Sequence, residues 1–447
     1  MKITQVVLSA LMLGSTGLAL AANEGALQPL AYESREYLTF DAPAAQNAPA
    51  QAAAPQYEGC YGCTGSCAAA CSAQPWTLPQ PCILQQHRIK VGGWVEQGYT
   101  YNARKPSDHF NGPVATNDLA DEYQLNQTWL FFQRAAQTNG CGWDWGGRVD
   151  LVYGTDWRFG KCLGLEDRID SPDHFYGMVI PQFYFEVAYN DLSVKMGHYA
   201  TRFGYEMIPA PGNFFYSHSY AMCYTEPILV TGVEADYKLS DNWLVIGGFN
   251  RGWMMFEDYN EQLDFLGGLK WSSDDKETTL SYAVTTGAQD VAGNNNRYAH
   301  AIVFTEQVSS RLLYVLQQNY GLEKNGVTAT GADAQWYGLD QYLIYKLNSC
   351  WSAGLRMEWL RDADGTRVAG IGNWIGSDKG WQGYGFAGDF YEVTAGLNWR
   401  PHPNLVLRPE LRWDWYNGPA NPDGDLPFDD GTAKNQFLAA VDLIVTF

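Results

Sequence analysis

Gln436-Phe437-Leu438-Ala439-Ala440-Val441-Asp442-Leu443-Ile444-Val445-Thr446-Phe447 carries an apolar residue at every second position and finishes on an aromatic one. Side chains alternate across a β-strand, so Phe437, Ala439, Val441, Leu443, Val445 and Phe447 share one face, while Gln436, Ala440, Asp442 and Thr446 share the other. Such a strand suits a boundary between lipid and water, the setting of every strand in a transmembrane β-barrel.

The two-faced pattern recurs upstream. Trp351, Ala353, Leu355, Met357 and Trp359 alternate with Ser352, Gly354, Arg356 and Glu358, and Leu405, Leu407, Leu411, Trp413 and Trp415 alternate with Arg408, Glu410, Arg412 and Asp414. An Arg or Lys facing mid-bilayer lipid costs about 2 to 4 kcal/mol, so the charged face of these strands should point inward. Similar segments, separated by Gly, Pro, Asn and Asp clusters, lie near 88–102, 122–137, 143–156, 176–189, 192–201, 228–239, 242–252, 262–272, 277–287, 298–307, 311–319, 335–347, 350–361, 389–399, 404–416 and 435–447. The predicted fold is all-β: a transmembrane antiparallel barrel of about sixteen strands, range roughly 14 to 18, with an even count expected. Connections alternate between short, as at Asn190-Asp191, Ser240-Asp241 and Leu347-Asn348-Ser349, and long, as at 103–121, 157–175, 202–227 and 362–388. Short turns belong to the periplasmic side and long loops to the outside.

Composition agrees. Of 447 residues only 17% are charged while 15% are aromatic, with 28 Tyr, 17 Trp and 46 Gly; soluble domains carry about 25% charged residues. Mean hydropathy is −0.29, and beyond the amino terminus no run of about 18 apolar residues occurs, which excludes a bundle of transmembrane helices. A barrel needs only half of each strand to be apolar. The net charge of −20 argues against nucleic acid as a partner. Acids in the lumen would favour cations; acids in external loops would merely solvate them.

The amino terminus, with Lys2, the apolar run Val6 to Leu13 and Leu18-Ala19-Leu20-Ala21-Ala22, has the form of a secretory signal peptide over residues 1–21. Residues 22–87 differ in character from the rest of the chain. Asp41 to Gln56 is an Ala/Pro/Gln tract that cannot bury a core and reads as a disordered linker. A cysteine cluster comes next, Cys60, Cys63, Cys67, Cys71 and Cys82, placed by this reading in the periplasm. An oxidising exported setting favours disulfides there over a thiolate metal site, and Thr64 after the Cys60/Cys63 pair excludes c-type haem attachment. The barrel proper is expected over 88–447. Cys162 and Cys223 fall in long loops and, if paired, would fasten one loop to the other; with nine cysteines in all, at least one thiol is free or pairs between chains.

Residues 192–220, Leu-Ser-Val-Lys-Met-Gly-His-Tyr-Ala-Thr-Arg-Phe-Gly-Tyr-Glu followed by Met-Ile-Pro-Ala-Pro-Gly-Asn-Phe-Phe-Tyr-Ser-His-Ser-Tyr, resemble the OmpL-like β-barrel porin family of bacterial outer membranes. Val149 to Asp156, Thr231 to Ala235, Leu355 to Trp359 and the Arg408/Glu410/Arg412/Asp414 alternation carry the resemblance further, over about residue 88 to the end. It implies a channel in the cell outer membrane for passive diffusion of small hydrophilic solutes or ions, with no cofactor and no substrate specified. By analogy with general porins of similar strand count, the loop after the fifth strand, near 202–227, would fold inward. Its Arg202, Tyr205, Glu206 and His218 would then face Arg356, Glu358, Arg408, Glu410, Arg412 and Asp414 across a constriction, where charge and width select. Homo-oligomer formation rests on the same analogy. Phe447 resembles the terminal aromatic read by the barrel-assembly machinery, which with outer-membrane lipid completes the expected partners.

Other classes remain in view. An envelope-anchoring or adhesion barrel would use residues 22–87 to bind another envelope component. A soluble barrel or propeller leaves the aromatic bands unexplained. An enzyme would need Ser/His or Asp/His groups near a rim, and neither a nucleophile elbow nor a His-Glu-x-x-His motif is present.

Overall fold

The computed structural model describes residues 74–169, 174–368 and 384–447. The signal peptide, the linker and Cys60, Cys63, Cys67 and Cys71 of the cysteine cluster lie outside the described residues. Within them the chain forms one closed antiparallel barrel of sixteen strands, each paired with its neighbours in sequence and the last with the first. The strands are β1 (Lys90–Asn102), β2 (Tyr123–Arg134), β3 (Trp143–Gly154), β4 (Gly177–Tyr189), β5 (Leu192–Ala200), β6 (Leu229–Lys238), β7 (Trp243–Asn250), β8 (Asp264–Ser272), β9 (Thr278–Ala288), β10 (Asn296–Ser309), β11 (Leu312–Val327), β12 (Ala332–Lys346), β13 (Trp351–Asp362), β14 (Gly388–His402), β15 (Leu405–Asn417) and β16 (Asn435–Thr446). Three short helices accompany them: α1 (Cys82–Gln86), α2 (Trp157–Gly160) and α3 (Tyr220–Thr225). Among the described residues no helix is long and apolar enough to cross a membrane; the crossing is made by strands.

The deciding strand is β16. Its register against β1 runs from Trp94 opposite Thr446 to Asn102 opposite Leu438, and Gly93 and Phe447 exchange backbone hydrogen bonds of 3.0 and 2.9 Å. Gln436, Leu438, Ala440, Asp442 and Ile444 face inward and are buried. Leu438 and Ile444 show that the inner face is not wholly polar: Ile444 joins Trp94, Trp129, Phe131 and Val406 in an apolar cluster inside the barrel. β15 obeys the alternation, with Arg408, Glu410, Arg412 and Asp414 buried inward and Leu411 and Trp413 exposed outward.

The largest departure from the expected boundaries is β11, which continues past 319 to Val327, pairing with β12 as far as Val327 opposite Ala332. Gly321 and Gly326 look like loop residues in sequence, but the missing side chain at Gly321 leaves the space that the indole of Trp336 fills from the neighbouring strand.

Candidate functional site

Residues 201–228, between β5 and β6, leave the wall and run through the lumen. Pro209 and Pro211 have no backbone N–H for a ladder, and Asn213 ties the turn locally, its Oδ1 accepting from Met207 N at 3.0 Å and its Nδ2 donating to Met207 O at 2.6 Å. Ser219 then caps α3, its hydroxyl accepting from Met222 N at 3.2 Å. Three successive aromatics meet three inward wall glycines: Phe214 lies on Gly354 of β13, Phe215 on Gly396 of β14 and Tyr216 on Gly98 of β1. A Cβ at Gly98 would stand 2.6 Å from the Tyr216 ring, and one at Gly396 would stand 3.2 Å from Phe215. Glycine at these points lets the loop lie against the backbone of the wall.

The charged wall fastens this loop. Glu410 accepts from Tyr216 N at 2.9 Å and Ser217 N at 3.1 Å. Glu358 accepts from Tyr220 N at 2.8 Å and Ala221 N at 2.6 Å. Asp414 accepts the Tyr220 hydroxyl at 2.7 Å. The arginines bind loop carbonyls: Arg408 donates to Asn213 O at 2.9 Å, Arg356 to Ser217 O at 2.7 Å and Arg412 to His218 O at 2.7 Å. Glu206 receives Arg356 at 2.8 Å, the Tyr342 hydroxyl at 3.0 Å and His218 at 3.0 Å. Burial pushes the Glu206 pKa up, but Arg356 and His218 outweigh it and hold the carboxyl far below the usual range. Glu226, near the loop's end, accepts from Gln317 at 2.6 Å and Asn319 at 3.0 Å. Its burial prevails over those bonds and, with Glu206 nearby, pushes its pKa up to about 7.

Eight of the ten predicted lumen residues therefore lie at the loop–wall contact: Glu206 and His218 of the loop with Arg356, Glu358, Arg408, Glu410, Arg412 and Asp414. Tyr205 turns to the neighbouring wall, its N–H donating to Gln317 at 2.7 Å and its ring 4.8 Å from that of Tyr342. The six wall charges are all buried; they hold the loop and do not face water. Arg202 goes elsewhere, to Glu234 at 2.6 Å and Asp236 at 2.5 Å on β6. Lys195 of β5 joins them, 3.1 Å from Glu234.

Solvent enters on that other side. The inward residues Leu244, Ile246 and Gly248 on β7, Gly268, Lys270 and Ser272 on β8, and Ser281 and Ala283 on β9 keep partial exposure, while Asn250, Asp264, Leu266, Thr279 and Thr285 on the same strands are buried. Under the loop Arg356, Glu358, Glu392, Arg408, Glu410, Arg412, Asp414 and Asp442 are buried and the sockets Gly354 and Gly396 keep partial exposure. The inserted loop thus displaces the aqueous space towards β6–β9, beside the Lys195/Arg202/Glu234/Asp236 cluster. Lys195, Glu234, Asp236 and Lys270 were not singled out from the sequence, although Glu234 and Asp236 alternate on β6 just as Glu410 and Asp414 do on β15. Sequence parity gives the inward face but not which sector the loop covers. On the long-loop side of the inserted segment a cavity of about 60 Å³ is bounded by Arg158, His218, Met222, Glu226, Met254 and Arg367.

The bridge between Cys162 and Cys223 does not form: both are free thiols, as are Cys82 and Cys141. Cys162 is buried with Leu229 and Met254, whereas Cys223 packs on the Tyr220/Tyr224 cluster, so the two belong to separate cores. Cys350, at a short turn, is disulfide-bonded. Among the described residues no group of three His, Cys, Asp or Glu side chains could hold a metal.

A closed sixteen-stranded barrel with a charged, loop-narrowed lumen and an apolar exterior defines a porin-type channel of the outer membrane. Residues 88–447 match the family model "Putative beta-barrel porin-2, OmpL-like", and the chain belongs to that family. Among solved structures the barrel is similar to the outer membrane channel DcaP of Acinetobacter baumannii (12% identity, TM-score 0.52, covering 80% of this chain and 97% of that one). It is similar also to an anion-selective porin from Comamonas acidovorans (10%, 0.51, 80% and 99%) and to OmpT of Vibrio cholerae in a trimer form (11%, 0.51, 80% and 99%). At these identities the likeness is one of fold. No curated protein matches the chain.

Proposed function

We propose that small hydrophilic solutes or ions diffuse passively through an eccentric passage between the inserted loop and the wall formed by β6–β9. Lys195, Arg202, Glu234 and Asp236 form its charged station. The observation that carries this reading is the asymmetry of exposure: eight inward residues on β7–β9, from Leu244 to Ala283, keep partial exposure, while the charged side chains facing the loop are buried. The station holds two acids against two bases, with Arg202 and Lys195 side chains 23% and 17% exposed and Glu234 only 2%, so it offers passing solutes its cations at the surface and keeps its anions behind them. Selection then comes from width and from the field of these groups. No cofactor takes part. Export by a cleaved signal over 1–21, insertion by the barrel-assembly machinery guided by Phe447, and assembly with further copies complete the proposal.

Planar-bilayer recording of the purified protein tests it. Discrete conductance steps are expected, and Arg202→Gln with Lys195→Gln should shift the reversal potential towards cations, changing the permeability ratio by about two- to ten-fold. A protein that inserts without any conductance steps would overturn the pore reading.

A further inference from the structure

The chain just before β1 is fastened across the seam where the barrel closes. Gly93 turns its N–H and C=O to Phe447, so Val91, two residues earlier, turns its own the same way, past the end of β16. The Gln80 carboxamide fills that place: its Oε1 accepts from Val91 N at 3.0 Å and its Nε2 donates to Val91 O at 2.9 Å. Four residues back, Trp76 is clasped at the turn between β14 and β15. Asn404 Oδ1 accepts from Trp76 N at 2.6 Å, and Asn404 Nδ2 donates to Trp76 O at 2.9 Å and to Thr446 O at 2.8 Å. The Trp76 ring stacks on His402 with centroids 4.4 Å apart. Followed back from β1, residues 80 to 76 thus form a strap that crosses the short-turn ends of β16 and β15 and arrives at β14. The next strand in that direction is β13. Cys350 stands immediately before it, its carbonyl accepting from Arg400 N of β14 at 2.8 Å.

Cys350 is disulfide-bonded, whereas Cys82, Cys141, Cys162 and Cys223 are free thiols. Of the nine cysteines in the chain, those left to supply the second sulfur are Cys60, Cys63, Cys67 and Cys71. The five residues from Cys71 to Trp76 span about 17 Å when extended, and the His402 ring under Trp76 lies two residues, about 7 Å, along β14 from the partner of Cys350. The strap therefore delivers the cluster to the right turn. We propose that Cys350 is joined to a cysteine of the 60–71 cluster, so that the amino-terminal segment is latched covalently to the turn between β12 and β13, with the strap at 76–80 positioning it. The bond forms as the two thiols give up two protons and two electrons to the disulfide of an exported oxidant, which leaves as a dithiol. A reducing dithiol reverses the exchange, so the latch opens under reduction. While it is closed, tension on the segment passes into β13 and does not peel β1 from β16. This inference is independent of what the lumen conducts.

The test is a disulfide map of the exported full-length protein, alkylated and digested without reductant. Trypsin leaves residues 37–88, with the cluster and Cys82, as one peptide and residues 347–356, with Cys350, as another. The two should appear joined and separate on adding dithiothreitol. Chymotryptic cleavage after Trp76 should then leave Cys350 with the cluster and Cys82 alkylated. Cys350 recovered as an alkylated thiol, bonded to Cys82, or joined to the 347–356 peptide of a second copy would overturn the proposal. The strap is tested by W76A/Q80A, with heat-modifiable migration on gels reporting that the barrel folds. Equilibration with reduced and oxidised glutathione measures the effective concentration of the cluster at Cys350, which should fall at least ten-fold in this variant. A folded variant with an unchanged value would remove the strap's positioning role.

Discussion

Glu226 carries the clearest pH dependence outside the strands. Its pKa is raised from 4.5 to about 7, so its contribution to stability is complete below about pH 4.5 and is lost as pH rises through about 7. The wild-type barrel should therefore lose on the order of 3 kcal/mol between pH 4.5 and 8 at this position, read as a falling unfolding midpoint, and Glu226→Gln should flatten that profile. A profile unchanged by the substitution would remove Glu226 as its source. Asp340, inside the barrel wall, offers a second test. It is 1% exposed on β12, stands opposite Glu358 in register, and neither of its oxygens accepts a hydrogen bond among the described residues. Asp340→Asn removes a like charge from the pair and should stabilise the barrel at pH 8 by about 1 to 3 kcal/mol. Neither residue was legible in the sequence. Asp340 has the parity of any inward acid, and its lack of a partner depends on where the loop and β13 place theirs.

At the scale of elements, strands were readable and the loop's course was readable in part. Two-residue periodicity reports a face directly, which is why β13 and β15 fall within a residue or two of their expected limits, while the outer half of β11 was hidden by glycines that serve packing. That the loop after β5 turns inward came from analogy. Its glycine sockets, separated from Phe214, Phe215 and Tyr216 by more than a hundred residues of sequence, left no local signal. Gly354→Val should push Phe214 out of its socket, destabilising the barrel by about 1 to 3 kcal/mol and raising single-channel conductance. Arg356→Ala leaves buried Glu206 and Glu392 uncompensated and should cost about 3 to 5 kcal/mol. Deletion of residues 206–220 should enlarge the conductance outright, and an unchanged value would mean the loop does not obstruct the path.

For the whole molecule, the alternating inner charges expected from the sequence to line a constriction are buried against the inserted loop and bond its backbone. Arg356, Arg408 and Arg412 with their carboxylates fasten the inserted loop to one side of the wall, and on the reading proposed above transport falls to the β6–β9 side, whose partly exposed inner residues run from Leu244, Ile246 and Gly248 to Lys270, Ser281 and Ala283. That division follows from solvent access and could be derived only once the loop had a position.

The seam between β1 and β16 has a consequence in time. Its pairs, such as Trp94 with Thr446, are the most distant in sequence of any in the barrel, while each other ladder joins strands that follow one another. Sheet growth can proceed hairpin by hairpin, but closure must wait for the longest loop, whose entropic cost precedes any reward. Until then the molecule is an open sheet with two unpaired edges, each a template for a foreign strand. The slow step and the vulnerable one are therefore the same, and a slip by one residue at that seam would turn Asp442 to the lipid and Leu443 to the lumen.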